Sequence, residues 1–450
     1  MSRSPLCAVQ RYTEKCRNKL HVETHGEGKR LREVIAPNLF EKSMPGNVKS
    51  KNQWLAMVLM AALSFWIFYA LVRRSASDLS IHATWAAEGM FTNPRTFFHH
   101  GAHPLWHVLV AFVMRLGVPV KVAAALVTAF LKTAVLWATI RLMTAYFQNK
   151  YKAAHIAVAA FSCMVASALW LPEVNPLVYV GVGSPNPWHS PTQMAALAAM
   201  LLCVPYTAHC YAEFERLLPL KGKQAALPLR KEITLGLLLL LSLAAKPTFM
   251  QAFLPAAGIY FGVQWLRHPQ NSRFFWRVLL AVMPAILLMV LQYLYYFGII
   301  VPSQGNMILE LSTEKLGRGV LVIALIEAFP LYVLATCGGK KLWKDPLMAL
   351  TVLLNGMGVL EYLLLGEDGR RASDGNFGWG MMGSALMLWI MMMIHFGCTW
   401  AKEKKKAPPA EGKHSGRVTA KYACGLALLL WHVGSGIYYI VYLLGTGNAL

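Results

Sequence analysis

The chain has 450 residues, of which 56% are hydrophobic and only 14% charged, and its formal net charge is +22. That balance excludes a soluble globular domain and describes a protein that crosses the bilayer many times. The positive charge is a topology signal, not a nucleic-acid footprint: of 43 lysines and arginines, 31 fall in segments that the positive-inside rule assigns to the cytoplasm, ten fall outside, and Lys132 and Arg141 lie within a span.

Residues 1–53 are polar and basic, without the apolar core of a signal peptide. They read as a disordered cytoplasmic tail, or as an extension upstream of a start at Met44. Apolar spans follow at about 54–72, 119–147, 152–172, 191–211, 233–248, 250–265, 277–298, 317–337, 346–365, 377–397 and 422–444. Residues 105–117 are apolar on one face and too short to cross, which predicts a helix lying in the membrane interface within the first outside loop. Residues 401–421 form a basic cytoplasmic loop attracted to anionic lipid, and 422–450 the last span and an outside C-terminus. The expected fold class is therefore all-α, a multi-pass bundle of about eleven helices in the cell membrane. The eight cysteines avoid the outside loops and form no C-x-x-C pair, so neither a disulfide framework nor a zinc site is expected.

With this orientation, segments 73–121, 173–190, 299–318 and 366–376 share the outer face, and they hold nearly every reactive side chain. In the first loop Asp78, His82, Trp85 and Glu88 recur at helical spacing. A carboxylate at the membrane surface beside aromatics suits a general base; it also suits a helix cap or a partner for Arg73 or Arg74. The cluster His99, His100, His103 and His107 lacks an H-E-x-x-H pattern, and adjacent histidines point apart. Imidazoles there suit a lipid headgroup or phosphate, and a divalent cation is the one cofactor the pattern admits. The segment 181–192, GVGSPNPWHSPT, is a rigid non-helical loop in which Trp188 offers a stacking platform and Asn186 and His189 offer hydrogen bonds, unless Trp188 is an interfacial anchor. Lys246, near the outer end of its span, snorkels to the surface or meets an anion. The loop within 361–380 gathers Glu367, Asp368, Arg370, Arg371, Asp374 and Asn376; its arginines suit a phosphate fork or pair with the neighbouring acids.

An acid just after the first span, an amphipathic segment opening His103-Pro104-Leu105, a span ending in basic residues and a second outside loop together resemble the GT-C superfamily of integral-membrane glycosyltransferases, over about residues 54–400. The resemblance implies a sugar transferred from a polyprenyl-phosphate carrier to an acceptor on the outer face. It implies Asp78 as the base, with Glu88 in reserve, and outside cations such as Arg370, Arg371 and Lys246 at the lipid phosphate. His82, His103, Asn186, Trp188, His189 and Asn376 complete the expected substrate site. The sequence departs from some families of that group in that Leu79 and Ser80, not a second acid, follow Asp78, and in having no large soluble C-terminal domain. An outer-leaflet polysaccharide polymerase or ligase, a transporter or flippase, and a non-catalytic scaffold are the alternatives. Few charges within the spans, namely Lys132, Arg141, Glu327 and Glu361, weigh against transport.

The orientation has a direct test. Cysteines placed at 78, 186 and 372 are expected to react with an impermeant thiol reagent in intact cells and one at 404 is not; labelling at 404 would invert the assignment.

Overall fold

The computed structural model describes residues 50–74, 77–88, 103–175, 183–297, 305–339, 342–369, 375–406 and 412–446. The tail expected to be disordered lies outside them up to residue 49. The described residues form thirteen α-helices: α1 (Lys51–Val72), α2 (Asp78–Ala87), α3 (Leu105–Arg115), α4 (Val120–Phe147), α5 (Ala153–Val165), α6 (Pro191–Lys221), α7 (Leu229–Ala245), α8 (Pro247–Arg267), α9 (Ser272–Tyr296), α10 (Thr313–Cys337), α11 (Pro346–Leu364), α12 (Gly378–Lys406) and α13 (Gly412–Thr446). The starts follow ordinary capping chemistry. The Ser77 and Ser312 hydroxyls accept from the N–H groups three residues on, and Asp345 accepts from Leu347 and Met348. Pro191, Pro247 and Pro346 occupy first-turn positions, where a missing N–H costs nothing.

The architecture is an all-α bundle of membrane-spanning character. Eight helices, α1, α4, α6 and α9 to α13, contain stretches long and apolar enough to cross a membrane. Three of the eleven expected spans are not among them, for separate reasons. Helix α5 stops after 13 residues because the chain turns extended at Ala166. Helix α7 has 17 residues and opens on Arg230, Lys231 and Glu232. Helix α8 carries Gln251, Gln264 and Arg267 and an internal Pro255. Helix α3 has 11 residues; it buries Trp106, His107, Val110 and Ala111 and exposes Phe112.

Two features were not expected from the sequence. A short antiparallel ribbon pairs β1 (Met307–Leu309) with β2 (Leu365–Glu367), Met307 opposite Glu367. It ties the loop before α10 to the loop after α11, and Lys315 Nζ reinforces it by donating to Glu310 Oε2 and Leu365 O, both at 2.6 Å. The second is the non-helical, largely buried course of residues 166–175 and 183–190, between α5 and α6. Such backbone is tolerated at membrane depth only where the protein satisfies it. Here the N–H of Leu169 donates to Leu325 O at 2.8 Å, that of Ser167 to His432 O at 3.2 Å and that of Trp170 to Ser435 Oγ at 3.0 Å. Asn175 closes the turn on Leu169 O and Leu171 N–H.

Residues 183–190 are held by Asn186, which is fully buried. Its Nδ2 donates to Cys163 O and Ala166 O, both at 2.8 Å, and its Oδ1 accepts from Lys132 Nζ at 2.7 Å. The Lys132 ammonium lies 4.5 Å from the centre of the Trp188 ring, and Trp188 is itself fully buried against Phe68. A lysine in the middle of an apolar helix is thus stabilised by one amide oxygen and one aromatic face.

Asn186→Ala would leave that ammonium and two carbonyls without the amide. It is expected to destabilise the fold by about 3 kcal/mol, because removing one partner of a buried charged contact costs more than the contact is worth. Adding Lys132→Met should recover part of the loss in thermal unfolding of detergent-purified protein; strictly additive effects would mean the two side chains do not act together.

Candidate functional site

At the end of the bundle where α2 begins, Ser77 caps the helix so that Asp78 is its first residue and His82 stands one turn on. Asp78 Oδ1 is 3.4 Å from His82 Nε2, and His82 Nδ1 shares a hydrogen bond with His107 Nε2 at 2.9 Å. His107 is fully buried on α3, which is pinned to α4 by Trp106 Nε1 donating to Thr128 Oγ1 at 3.0 Å. Trp85 sets its ring perpendicular to His82 at 4.8 Å. A carboxylate and two imidazoles therefore form one hydrogen-bonded row, with the carboxylate at its open end.

Facing the row, Lys246 occupies the extended residue between α7 and α8 and is 8% exposed. Its Nζ lies 3.8 Å from the centre of the Trp379 ring, in the first turn of α12. The His189 ring stands 6.0 Å from the same indole, and His189 Nδ1 shares a hydrogen bond with Tyr439 OH of α13 at 2.8 Å. Trp379 O accepts from Gln193 Nε2 at 3.2 Å, which fixes the aromatic plate against α6.

Burial alone would raise the Asp78 carboxyl. The hydrogen bond and charge of His82, and then the charges of His189 and Lys246, outweigh it and hold Asp78 at about 2. Burial brings His189 down to about 4, so near neutral pH it is uncharged and adds little to the effect on Asp78. His103 is pushed well below the usual imidazole range by burial, with Lys246 next in effect.

Two cavities adjoin at this end. A polar pocket of about 90 Å³ is lined by His103, Lys246, Thr248, Gln251, Glu367 and Asn376, and Asn376 Nδ2 donates to Glu367 Oε2 at 2.6 Å. A groove of about 510 Å³ runs from it between α8, α9 and α11, walled mostly by apolar side chains such as Met289, Val290, Leu360 and Leu364. Pro247, Gln251, Phe297 and Phe377 line both.

Of the residues expected at the site, Asp78, His82, His103, His189, Lys246 and Asn376 come together at this end. Glu88 does not: it is exposed at the other end of α2, about 15 Å from Asp78 along the axis. Asn186 and Trp188 are enclosed in the bundle around Lys132, so a cysteine at 186 would be shielded from the reagent that the sequence expects to reach it. His99, His100, Arg370, Arg371 and Asp374 lie outside the described residues. Asp78 takes His82 as its partner, whereas Arg74 donates to the carbonyls of Leu444 and Gly445.

Trp379 and Tyr439 were not expected here, and His107 was named in the histidine cluster without being counted in the expected site. His107 follows His103 by one helical turn, and Trp379 belongs to the GNFGWG stretch, so both had a local signal. Tyr439 had none, standing 250 residues from its partner. Among the described residues no group of three or more histidines, cysteines and acids is placed to hold a metal ion. No protein-family model matches the chain, and no curated protein matches it either.

The Asp78–His82 contact has a pH signature. A depressed carboxylate pKa contributes stability that is present above the unfolded value of 3.8 and disappears as pH falls through about 2. The stability difference between wild type and Asp78→Asn should therefore shrink between about pH 4 and pH 2, by a modest amount because the Asp78 side chain keeps 37% exposure. A difference that does not change over that range would separate Asp78 from His82.

Proposed function

We propose that the protein is a membrane glycosyltransferase of GT-C type, transferring a sugar from a polyprenyl-phosphate carrier to a hydroxyl acceptor at the outer face. One observation carries this reading: an apolar groove opens into a polar pocket containing a buried lysine, beside a half-buried carboxylate held well below its usual range. A polyprenyl tail fits the groove, a phosphate fits Lys246, and the acceptor hydroxyl fits Asp78. In the transfer the bond from the anomeric carbon to the phosphate oxygen breaks and the bond to the acceptor oxygen forms. The acceptor proton goes to Asp78, and the polyprenyl phosphate leaves with its negative charge facing Lys246. At a pKa of about 2 Asp78 is a weak base, so it takes the proton late, once attack has made the hydroxyl acidic. Arg370 and Arg371 belong to this proposal as the guanidinium pair for the phosphate. So does the eleven-crossing topology with a cytoplasmic N-terminus, in which α5, α7 and α8 are completed as crossings by their neighbours.

A transporter reading is favoured by one buried polar contact inside the bundle, Asn355 Nδ2 donating to Glu327 Oε1 at 2.6 Å, with Glu327 1% exposed.

With a panel of radiolabelled polyprenyl-phosphate hexoses, Asp78→Asn should lower kcat by about 100-fold or more with little change in donor KM. Lys246→Met should raise donor KM by roughly ten- to a hundredfold, as expected for loss of a charged hydrogen bond. Shortening the prenyl chain should raise KM in the wild type. Transfer unaffected by Asp78→Asn would end the base assignment, and flux into vesicles that depends on Glu327 instead would favour transport.

A further inference from the structure

Where the groove meets the pocket, four oxygens are shut off from solvent and receive no hydrogen bond among the described residues: both carboxyl oxygens of Glu361, the amide oxygen of Gln251 and the hydroxyl of Thr248. Glu361 is 9% exposed near the end of α11, and Gln251 and Thr248 lie one turn apart on α8. Thr248 lines the pocket, Glu361 the groove and Gln251 both, and Gly380 of α12 stands against the Glu361 carboxyl and the Thr248 backbone carbonyl. A methyl group built on Gly380 would stand 2.7 Å from Glu361 Oε2 and 3.0 Å from Thr248 O, so the missing side chain leaves a space edged by oxygens from two helices.

A buried carboxylate without a partner costs several kcal/mol, and so do acceptors left dry beside it. The oxygens have no donor among the described residues, and a cation is the kind of partner that a carboxylate and neutral oxygens can share. Oxygen-only ligation selects a hard ion. The charge then selects among hard ions: with one carboxylate and otherwise neutral oxygens, a monovalent ion gives a neutral site, while a divalent one would leave a net positive charge in a low-dielectric setting.

We propose that Glu361, Gln251 and Thr248 form a binding site for a desolvated alkali cation at the junction of α8, α11 and α12, cradled by Gly380. The site is independent of the transferase reading and stands or falls separately from it. It sits where the groove meets the Lys246 pocket, and a cation there neutralises Glu361.

The test uses the full chain purified in detergent, compared in sodium chloride and in N-methylglucamine chloride at equal ionic strength. Saturating sodium should raise Tm by roughly 5 °C, and radioactive sodium should bind at one site per chain. Glu361→Gln should abolish both. Gly380→Ala keeps the carboxylate but fills the cradle, and it should lose sodium binding while circular dichroism shows the native helical content. Equal Tm in the two salts, or a sodium response that survives Glu361→Gln, would overturn the site. Stabilisation by magnesium and not by sodium would overturn its monovalent character. A stability that follows pH but ignores sodium would show that Glu361 is held as a neutral acid, which also ends the proposal.

Discussion

Backbone amides inside a membrane must find partners within the protein, and the segment between α5 and α6 is where that constraint is most demanding. Helix α5 ends before Ala166 and α6 begins at Pro191, and the described residues between them are non-helical. Its described parts meet the requirement by borrowing acceptors from α10 and α13 and by seating Asn186 between two carbonyls and the Lys132 ammonium. The placement of His189 follows from this, since it is three residues beyond Asn186 and its ring must come out beside Trp379 and Tyr439. The lysine inside α4 is therefore a peg for the loop as well as a charge that needs a partner.

The candidate site combines groups of opposite sign that do not neutralise each other by contact. Asp78 is bonded to His82, and Lys246 lies over Trp379. A direct pair would have been self-sufficient. Holding the two apart leaves a carboxylate and an ammonium each with capacity for a ligand, while their mutual field still depresses the carboxylate. The indole makes this arrangement feasible, because an aromatic face stabilises an ammonium without a counter-ion. The adjacent groove supplies an apolar surface continuous with the polar one, as an amphipathic ligand requires.

Hydropathy and charge asymmetry made the helical bundle legible in the sequence, as well as the gathering of Asp78, His82, His103, His189 and Lys246 at one end, because both follow from segment length and from which loops carry lysine and arginine. What was not legible depends on pairings across long separations. Asn186 and Trp188 sit in a proline-rich stretch that looks like a surface loop; only the buried Lys132, itself readable as an anomaly within an apolar span, hinted that something must come to meet it. Glu88 shared a helical pattern with Asp78, yet ten residues of helix carry it away from the site. The β1–β2 ribbon joins two three-residue strands too short to show periodicity.

Helix α13 binds to parts of the chain made long before it. Its His432 ring donates to Ser167 O at 2.6 Å, Ser435 accepts from Trp170, Tyr439 meets His189, and its final carbonyls receive Arg74. During synthesis, then, α1 to α12 are made while the α5–α6 segment still lacks two of its backbone partners. His189 has no phenol to hold it until Tyr439 emerges. The half-made protein is left with the Ser167 and Trp170 amides unsatisfied inside an apolar bundle. Completion of the bundle and completion of the site are thus a single event, tied to insertion of α13.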